Sequence, residues 1–341
     1  MQFQIPIQIN SPERQINYND KILLAGSCFT EHIGNALQGL KFSVMQNPNG
    51  ILFDPYSVCR SLKSYIHNKK YNEHDLFRLD DVWHSWQYHS RFSDIDWSAC
   101  LNNINNSLEK AHHFLKKADW IIITLGSAFC YRLTKLDGSA DIPAMEEPGE
   151  PVANCHRAPA QWFRKDLIAI SDIISVLDDC INRMLAFNQG LQFILTVSPV
   201  RHIRDGVIEN NRSKARLIEA VHQIVNKYKQ AFYFPAYELV IDVLRDYRFY
   251  DVDLVHPNYM ATEYVLEKFT DSFIAKESRE LMDEIKKIVI AGRHRPFQPG
   301  THAHHSFLET HLEKTKALAK QYPFLDFTRE LNYFSQASKN R

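Results

Sequence analysis

The sequence has little that would mark a nucleotide-driven, metal-dependent or disulfide-built protein. It holds 11 glycines in 341 residues and contains neither GxGxxG nor GxxxxGK, so phosphate chemistry on a glycine-rich loop has no foothold. Its six cysteines, at 28, 59, 100, 130, 155 and 180, form no CxxC pair. That argues against a zinc knuckle or a stapled scaffold, and for reduced thiols in a cytoplasmic protein. Such thiols remain free to include a nucleophile. HExxH is absent, and the imidazole-dense stretches His112-His113 and His302-Ala-His304-His305 lack acids nearby or point in different directions on a helix. No metal and no cofactor is expected.

An excess of one charge is missing too, because Lys+Arg and Asp+Glu both number 40. A protein that tracks phosphates wants a basic surplus, so no nucleic-acid partner is expected. No uncharged apolar stretch reaches ~18 residues, which leaves no membrane span. Residues 1–10 alternate apolar and polar side chains without a basic start, so no secretory signal is expected. What is present is ample apolar material, 45% of the chain against 23% charged, enough for a large core.

The pattern alternates strands with helices. The run 21–25 stops at Gly26 and a helical stretch over 30–40 follows, with Ile33, Leu37 and Leu40 on one face. A second strand is predicted at 42–45, ended by Asn47-Pro-Asn-Gly50, and a helix at 55–67. Residues 69–95 read as a hairpin or insertion, in which His84, Trp86 and His89 form either a packed aromatic hairpin or a sugar-stacking wall. A helix over 97–117 leads into the apolar run 120–125, which suggests a parallel strand covered on both faces. Residues 137–160, rich in Gly and Pro, read as a long surface loop. Helices over 165–188, 213–228 and 257–273, with strands at 193–197 and 232–234, complete an α/β domain over residues 1–275. Residues 276–341 read as a helical extension, a possible surface for homo-oligomers.

In such sheets the site lies beyond the carboxyl ends of the strands. Two candidates stand there. Cys28, at a helix start, feels the positive end of the dipole, which lowers a thiol's pKa and offers N–H groups to an oxyanion; the plainer reading is a buried packing cysteine. The second is Asp253-Leu-Val-His256-Pro257, where Pro257 fits the first helical position, His256 stands at the helix entry and Asp253 can fix its tautomer.

A strand-end nucleophile followed far downstream by D-x-x-H is the order found in GDSL-type, or SGNH, hydrolases, and Gly26-Ser27-Cys28-Phe29 resembles the signature of the GSCFA family grouped with them. Asn47-Pro-Asn-Gly50, Thr124-Leu125-Gly126, Asn154-Cys155-His156, Thr196-Val-Ser198-Pro199, Ser213-Lys214-Ala215 and Asp253-x-x-His256-Pro257 extend the resemblance over most of the chain. The resemblance implies a flavodoxin-like three-layer sandwich with five mostly parallel strands. It also implies ester chemistry, hydrolysis or acyl transfer, on a small-molecule or carbohydrate ester.

By position the family's serine nucleophile falls on Cys28, and the acidic residue before it falls on Ser27. Three readings follow: Cys28 has replaced the serine, Ser27 has taken the role, or hydrolysis is lost and the fold binds a glycan or protein partner. Cys28, with His256 as base and Asp253 as its orienting acid, is the preferred set. The superfamily's oxyanion Asn is missing, since Gly126 is followed by Ser127 and Ala128. The Cys28 N–H, the backbone near Gly50 and Gly126 and the Ser127 hydroxyl are left to serve, and one lost donor typically costs ~3 kcal/mol. Asn47, Asn154 and His156 complete the expected substrate-side residues.

Overall fold

The structure, a computed structural model, describes residues 5–134 and 149–339. Its centre is a five-stranded parallel sheet: β1 (Lys21–Gly26), β2 (Ser43–Gln46), β3 (Trp120–Leu125), β4 (Gln192–Val197) and β5 (Ala231–Phe234), in the order β5-β4-β3-β1-β2. This is the flavodoxin-like order 2-1-3-4-5, whose switch point falls between the carboxyl ends of β1 and β3.

The apolar runs were continuous because both faces of the sheet are covered, and the strand's two-residue period divides them between two cores. Leu23, Ala25, Ile121, Ile123, Phe193 and Leu195 face one side, where α2 (Pro55–His67), α3 (Trp97–Leu115), α4 (Ile170–Phe187) and α5 (Gly206–Lys227) pack. Ile22, Leu24, Trp120, Ile122 and Ile194 face the other, against α1 (Cys28–Gly39) and α6 (Tyr259–Phe273). Local chemistry sets several helix starts. Asp54 caps α2 by accepting from Ser57 N at 3.0 Å, with Pro55 at the first turn, and Asp96 caps α3 through Ser98 N at 2.8 Å.

Three expectations change. The helix predicted from 165 begins only at Ile170, because Phe163–Leu167 is a strand paired antiparallel with Phe129–Leu133. Arg132 on one strand pairs with Asp166 on the other at 3.2 Å, so charge that resembled a helix face is a cross-strand contact. Of the predicted loop 137–160, residues 137–148 lie outside the described residues, and Pro151–Val152 is a third strand on Phe129–Leu133. Finally, Pro257 is not inside α6. Asn258 caps that helix, accepting from Ala261 N at 3.2 Å, while Pro257 bridges to Tyr250. His256 therefore belongs to the preceding loop. The predicted hairpin is Phe77–Leu79 with Val82–His84; there Trp86 is buried and stacks on Phe77 at 3.6 Å, the packed form.

Beyond α6 come α7 (Lys276–Ala291), α8 (His302–Gln321) and α9 (Thr328–Lys339). Leu281, Ile285, Ile288, Leu308, Phe327 and Phe334 from this segment join the core beneath α1 and α6. No helix among the described residues is long and apolar enough to cross a membrane. Glu330, itself buried, meets Lys41 just beyond α1 at 2.8 Å. Removing one partner of such a pair strands the other charge. Glu330→Ala should therefore lose about 3 kcal/mol in denaturant unfolding, and the whole chain should still unfold in one transition if the extension shares this core.

Candidate active site

At the switch point Ser27 holds the N-cap position of α1 without a side-chain capping bond, and Cys28 opens the helix. Gly26 allows the turn: its φ is +143°, and a Cβ there would lie 2.1 Å from the Thr124 carbonyl oxygen. Ser27, Cys28, Gly126, Ser127 and Asn154 line one cavity of about 330 Å³. Phe53, Phe129, Tyr131 and Val152 make its walls apolar, and His202, Arg204 and Lys165 bring basic nitrogen to it. Ser27 Oγ is buried there without a hydrogen-bond partner, an uncommon state for a hydroxyl.

The backbone N–H groups of Phe29 and of Cys28 itself, at the start of α1, act to favour the Cys28 thiolate. Burial outweighs them. It pushes the thiol pKa above its ordinary value, although the Lys214 charge also pulls it down, and Glu31 adds to the rise. The dipole argument anticipated a depressed thiol; desolvation in this cavity reverses the sign.

Asp253 and His256 form a dyad. Leu254 takes a left-handed φ of 59°, which folds the chain so that Asp253 Oδ1 accepts from Val255 N at 2.9 Å and His256 N at 3.0 Å. The other carboxylate oxygen meets His256 Nδ1 at 2.6 Å. These bonds to His256 hold the Asp253 pKa down at about 2. The imidazole is half exposed and does not line the cavity, and no hydrogen bond ties it to Ser27 or Cys28. It stands beside the site: Arg201, a cavity residue, donates its N–H to Val255 O at 3.3 Å.

Several expected substrate-side groups are engaged elsewhere. The N–H groups of Gly126 and Ser127 both donate to Phe53 O, at 2.8 and 3.0 Å, and Gly50 N donates to Asn47 O at 2.7 Å. Ser127 Oγ accepts from Phe129 N at 3.0 Å. The Asn47 side chain accepts from Gly26 N at 2.9 Å, so it braces the turn under Cys28 from outside the cavity. Asn154 Oδ1 accepts from His156 N at 2.7 Å. These bonds use Ser127 Oγ and Asn154 Oδ1 as acceptors and leave the Asn154 Nδ2 group on the cavity lining without a bond of its own among the described residues.

His156 is turned into the aromatic hairpin. Nε2 bonds to Ser85 O at 2.9 Å, the ring lies against His84, Trp86 and Phe77, and burial lowers its pKa to about 4. A buried neutral imidazole supports the fold above the unfolded pKa of roughly 6.5. The unfolded chain takes up the proton first as pH falls, so that support is lost between there and about 4. Replacing it, as His156→Gln, should flatten the fall in unfolding free energy across that window by about 3 kcal/mol, measured by urea titration at successive pH values.

Lys214 had no assigned role in the sequence. It is fully buried on the inner face of α5 and donates to Gly126 O at 2.6 Å and Ser198 O at 2.7 Å. Burial lowers its pKa to about 7. Its spacing was the available signal: position 214 falls on the same inward stripe as Leu217, Val221 and Ile224.

The GSCFA family's model matches residues 21–269, and that of the GSCFA domain protein C-terminal domain matches residues 285–340. No protein of curated function matches the sequence. Among solved structures, a carbohydrate esterase family 3 protein from Talaromyces cellulolyticus is similar at 10% identity and a TM-score of 0.33, covering 79% of this chain and 99% of its own. An acetyl xylan esterase from the rumen bacterium Butyrivibrio proteoclasticus has the same identity and TM-score, covering 76% of this chain and 64% of its own. With the family signature at the head of α1 and the match running through five strands to α6, this chain belongs to the GSCFA family.

Proposed function

We propose that the protein is an ester hydrolase or acyltransferase in which Cys28 is the nucleophile. The observation that carries this reading is the position of the sulfur. It lies at the N-terminus of α1, on the wall of an apolar cavity, where the N–H groups of Phe29 and Cys28 favour its thiolate. Such a start of a helix suits both a thiolate and the oxyanion that forms when it attacks.

In the proposed reaction the Cys28 sulfur adds to the ester carbonyl carbon while the thiol proton passes to His256 Nε2. The tetrahedral oxyanion is held by the N–H groups of Cys28 and Phe29 and by the Ser27 hydroxyl, which otherwise has no partner. Collapse breaks the C–O bond, and the leaving alcohol takes the proton from His256. Water, or a second alcohol, then gives its proton to the imidazole as its oxygen adds to the thioester carbon; the C–S bond breaks and the Cys28 sulfur takes that proton back. Asp253 keeps Nδ1 protonated and steadies the imidazolium throughout. The gap between dyad and cavity closes on substrate binding, as catalytic hydrogen bonds commonly tighten in the complex. An O-acylated carbohydrate is the proposed substrate class, by analogy with other proteins on this architecture.

An assay with p-nitrophenyl acyl esters tests the reading. Cys28→Ala and His256→Ala should each reduce kcat/KM by roughly 10³-fold or more, and Ser27→Ala by roughly 10- to 100-fold. Because burial raises the Cys28 pKa, the wild-type rate should climb on the alkaline side of neutrality. Loss of turnover in Ser27→Ala alone would move the nucleophile to Ser27. Turnover equal in all variants, or none in wild type, would leave the cavity as a binding site.

A further inference from the structure

Two buried polar atoms of the residues lining the cavity lack partners, Ser27 Oγ and His202 Nε2. The reaction above gives the first an oxyanion and the second nothing. A buried ring nitrogen without a hydrogen bond is uncommon and calls for a reason. His202 belongs to residues 200–205, which follow β4 and supply one side of the cavity. That side is held in place: His202 N donates to the buried Asn210 Oδ1 at 3.1 Å, and Arg201 N to Val255 O at 3.3 Å. The imidazole stands edge-on to Phe129, and its Nδ1 lies 3.8 Å from Asp205 Oδ2, too far for a hydrogen bond. No side-chain bond pins the ring proton, so Nε2 is free to donate.

Charge on the lining is uneven. Its cations are Lys165, Arg201 and Arg204, and its acids are Asp54 and Asp205. Lys165 pairs with Asp205, and Asp54 is committed to Ser57 as the cap of α2. Arg201 donates to Leu254 O at 3.2 Å and lies over the Tyr250 ring at 4.2 Å, without a carboxylate. Arg204 makes neither ion pair nor hydrogen bond among the described residues, so its guanidinium is the one fully open to a ligand. Open donors beside apolar walls describe a ligand with an apolar body and an anionic end, and a guanidinium meets a carboxylate through two parallel N–H bonds. At about 330 Å³ the cavity is at the small end for ligand sites, which suits a short acyl chain whose carbonyl reaches Cys28.

We propose that the cavity selects esters whose acyl chain ends in a carboxylate, half-esters of a short dicarboxylic acid, with Arg204 and His202 Nε2 binding that carboxylate. Phe53, Phe129, Tyr131 and Val152 cover the methylene chain between carboxylate and ester. Arg201 adds charge from the side of the Asp253–His256 loop. The proposal rests on the reading of this cavity as an ester site, but not on whether Cys28 or Ser27 attacks.

Mono-p-nitrophenyl adipate and p-nitrophenyl hexanoate offer one chain with and without the terminal carboxylate. Wild type should favour the adipate ester in kcat/KM by roughly tenfold, the effect of one charge-assisted hydrogen bond at a partly open rim. Arg204→Gln should erase most of that ratio, Arg204→Lys should keep part of it, and His202→Leu should lower it severalfold. Equal rates on the two esters in wild type, or a preference that survives Arg204→Gln, would overturn the proposal.

Binding is read apart from turnover with adipamate and hexanamide, which carry an amide in place of the ester. In NMR titrations of the full chain adipamate should bind about tenfold more tightly than hexanamide, and Arg204→Gln should remove the difference. That difference without turnover of either ester sinks the enzymatic reading alone. Ester turnover with no discrimination in rate or binding sinks this proposal alone, and the absence of both sinks both.

Discussion

Gly26 sits where β1 leaves the sheet with no room for a side chain, and the geometry of the site descends from that closure. The backbones of β1 and β3 meet so tightly that any Cβ would strike the Thr124 carbonyl. The next N–H, that of Ser27, donates to that same carbonyl at 3.1 Å, and the Gly26 carbonyl accepts from Leu52 N at 2.9 Å. With Asn47 Oδ1 on Gly26 N, the turn is held from three directions. The chain then has one way out, directly into α1. Cys28 becomes the first helical residue, its sulfur beside N–H groups that no preceding turn can use. The residues around the turn hold the sulfur in place.

Burial acts on both ionisable groups at this point, in opposite directions. The thiol loses solvation of its anion and its pKa rises; the Lys214 amine loses solvation of its cation and its pKa falls. In water the amine would titrate above the thiol; burial reverses that order. The Asp253–His256 dyad is built on the contrary principle. It faces solvent, its carboxylate stays ionised down to about pH 2, and its geometry comes from short-range hydrogen bonds around the left-handed Leu254. A desolvated sulfur beside a solvated relay is an arrangement in which the entering substrate itself would exclude water from the gap.

The sequence made most of the fold legible because both sheet faces are covered. Runs such as 120–125 cannot be anything but interior, and the helix faces of α3 and α5 repeat with the right period. The glycine-serine-cysteine turn was readable for a related reason: it interrupts an apolar strand just before an amphipathic helix. What escaped depends on partners distant in the chain. The strand Phe163–Leu167 is charged and half exposed, and only its pairing with Phe129–Leu133 makes it a strand. Gly50 and Gly126 read as free backbone donors, but residues 47 and 53 cross over the strand ends and consume them. His156 sits in a motif beside Asn154, yet its ring turns away into the hairpin.

The helical extension also bears on the site. The helix that carries Cys28 and the helix that follows His256 share one apolar cluster, in which Phe29, Ile33 and Leu37 of α1 meet Val265, Phe269 and Phe273 of α6. Leu308, Phe327 and Phe334 of the C-terminal segment complete that cluster from outside, and the Lys41–Glu330 pair fastens it to the end of α1. Without that cover, one face of α1 and α6 would be apolar and wet, and the two helices would lose a common wall. Close-packed interiors transmit displacement because they have little free volume. The helix that carries Cys28 and the helix that follows His256 thus share their packing with residues beyond position 300, far from either in sequence.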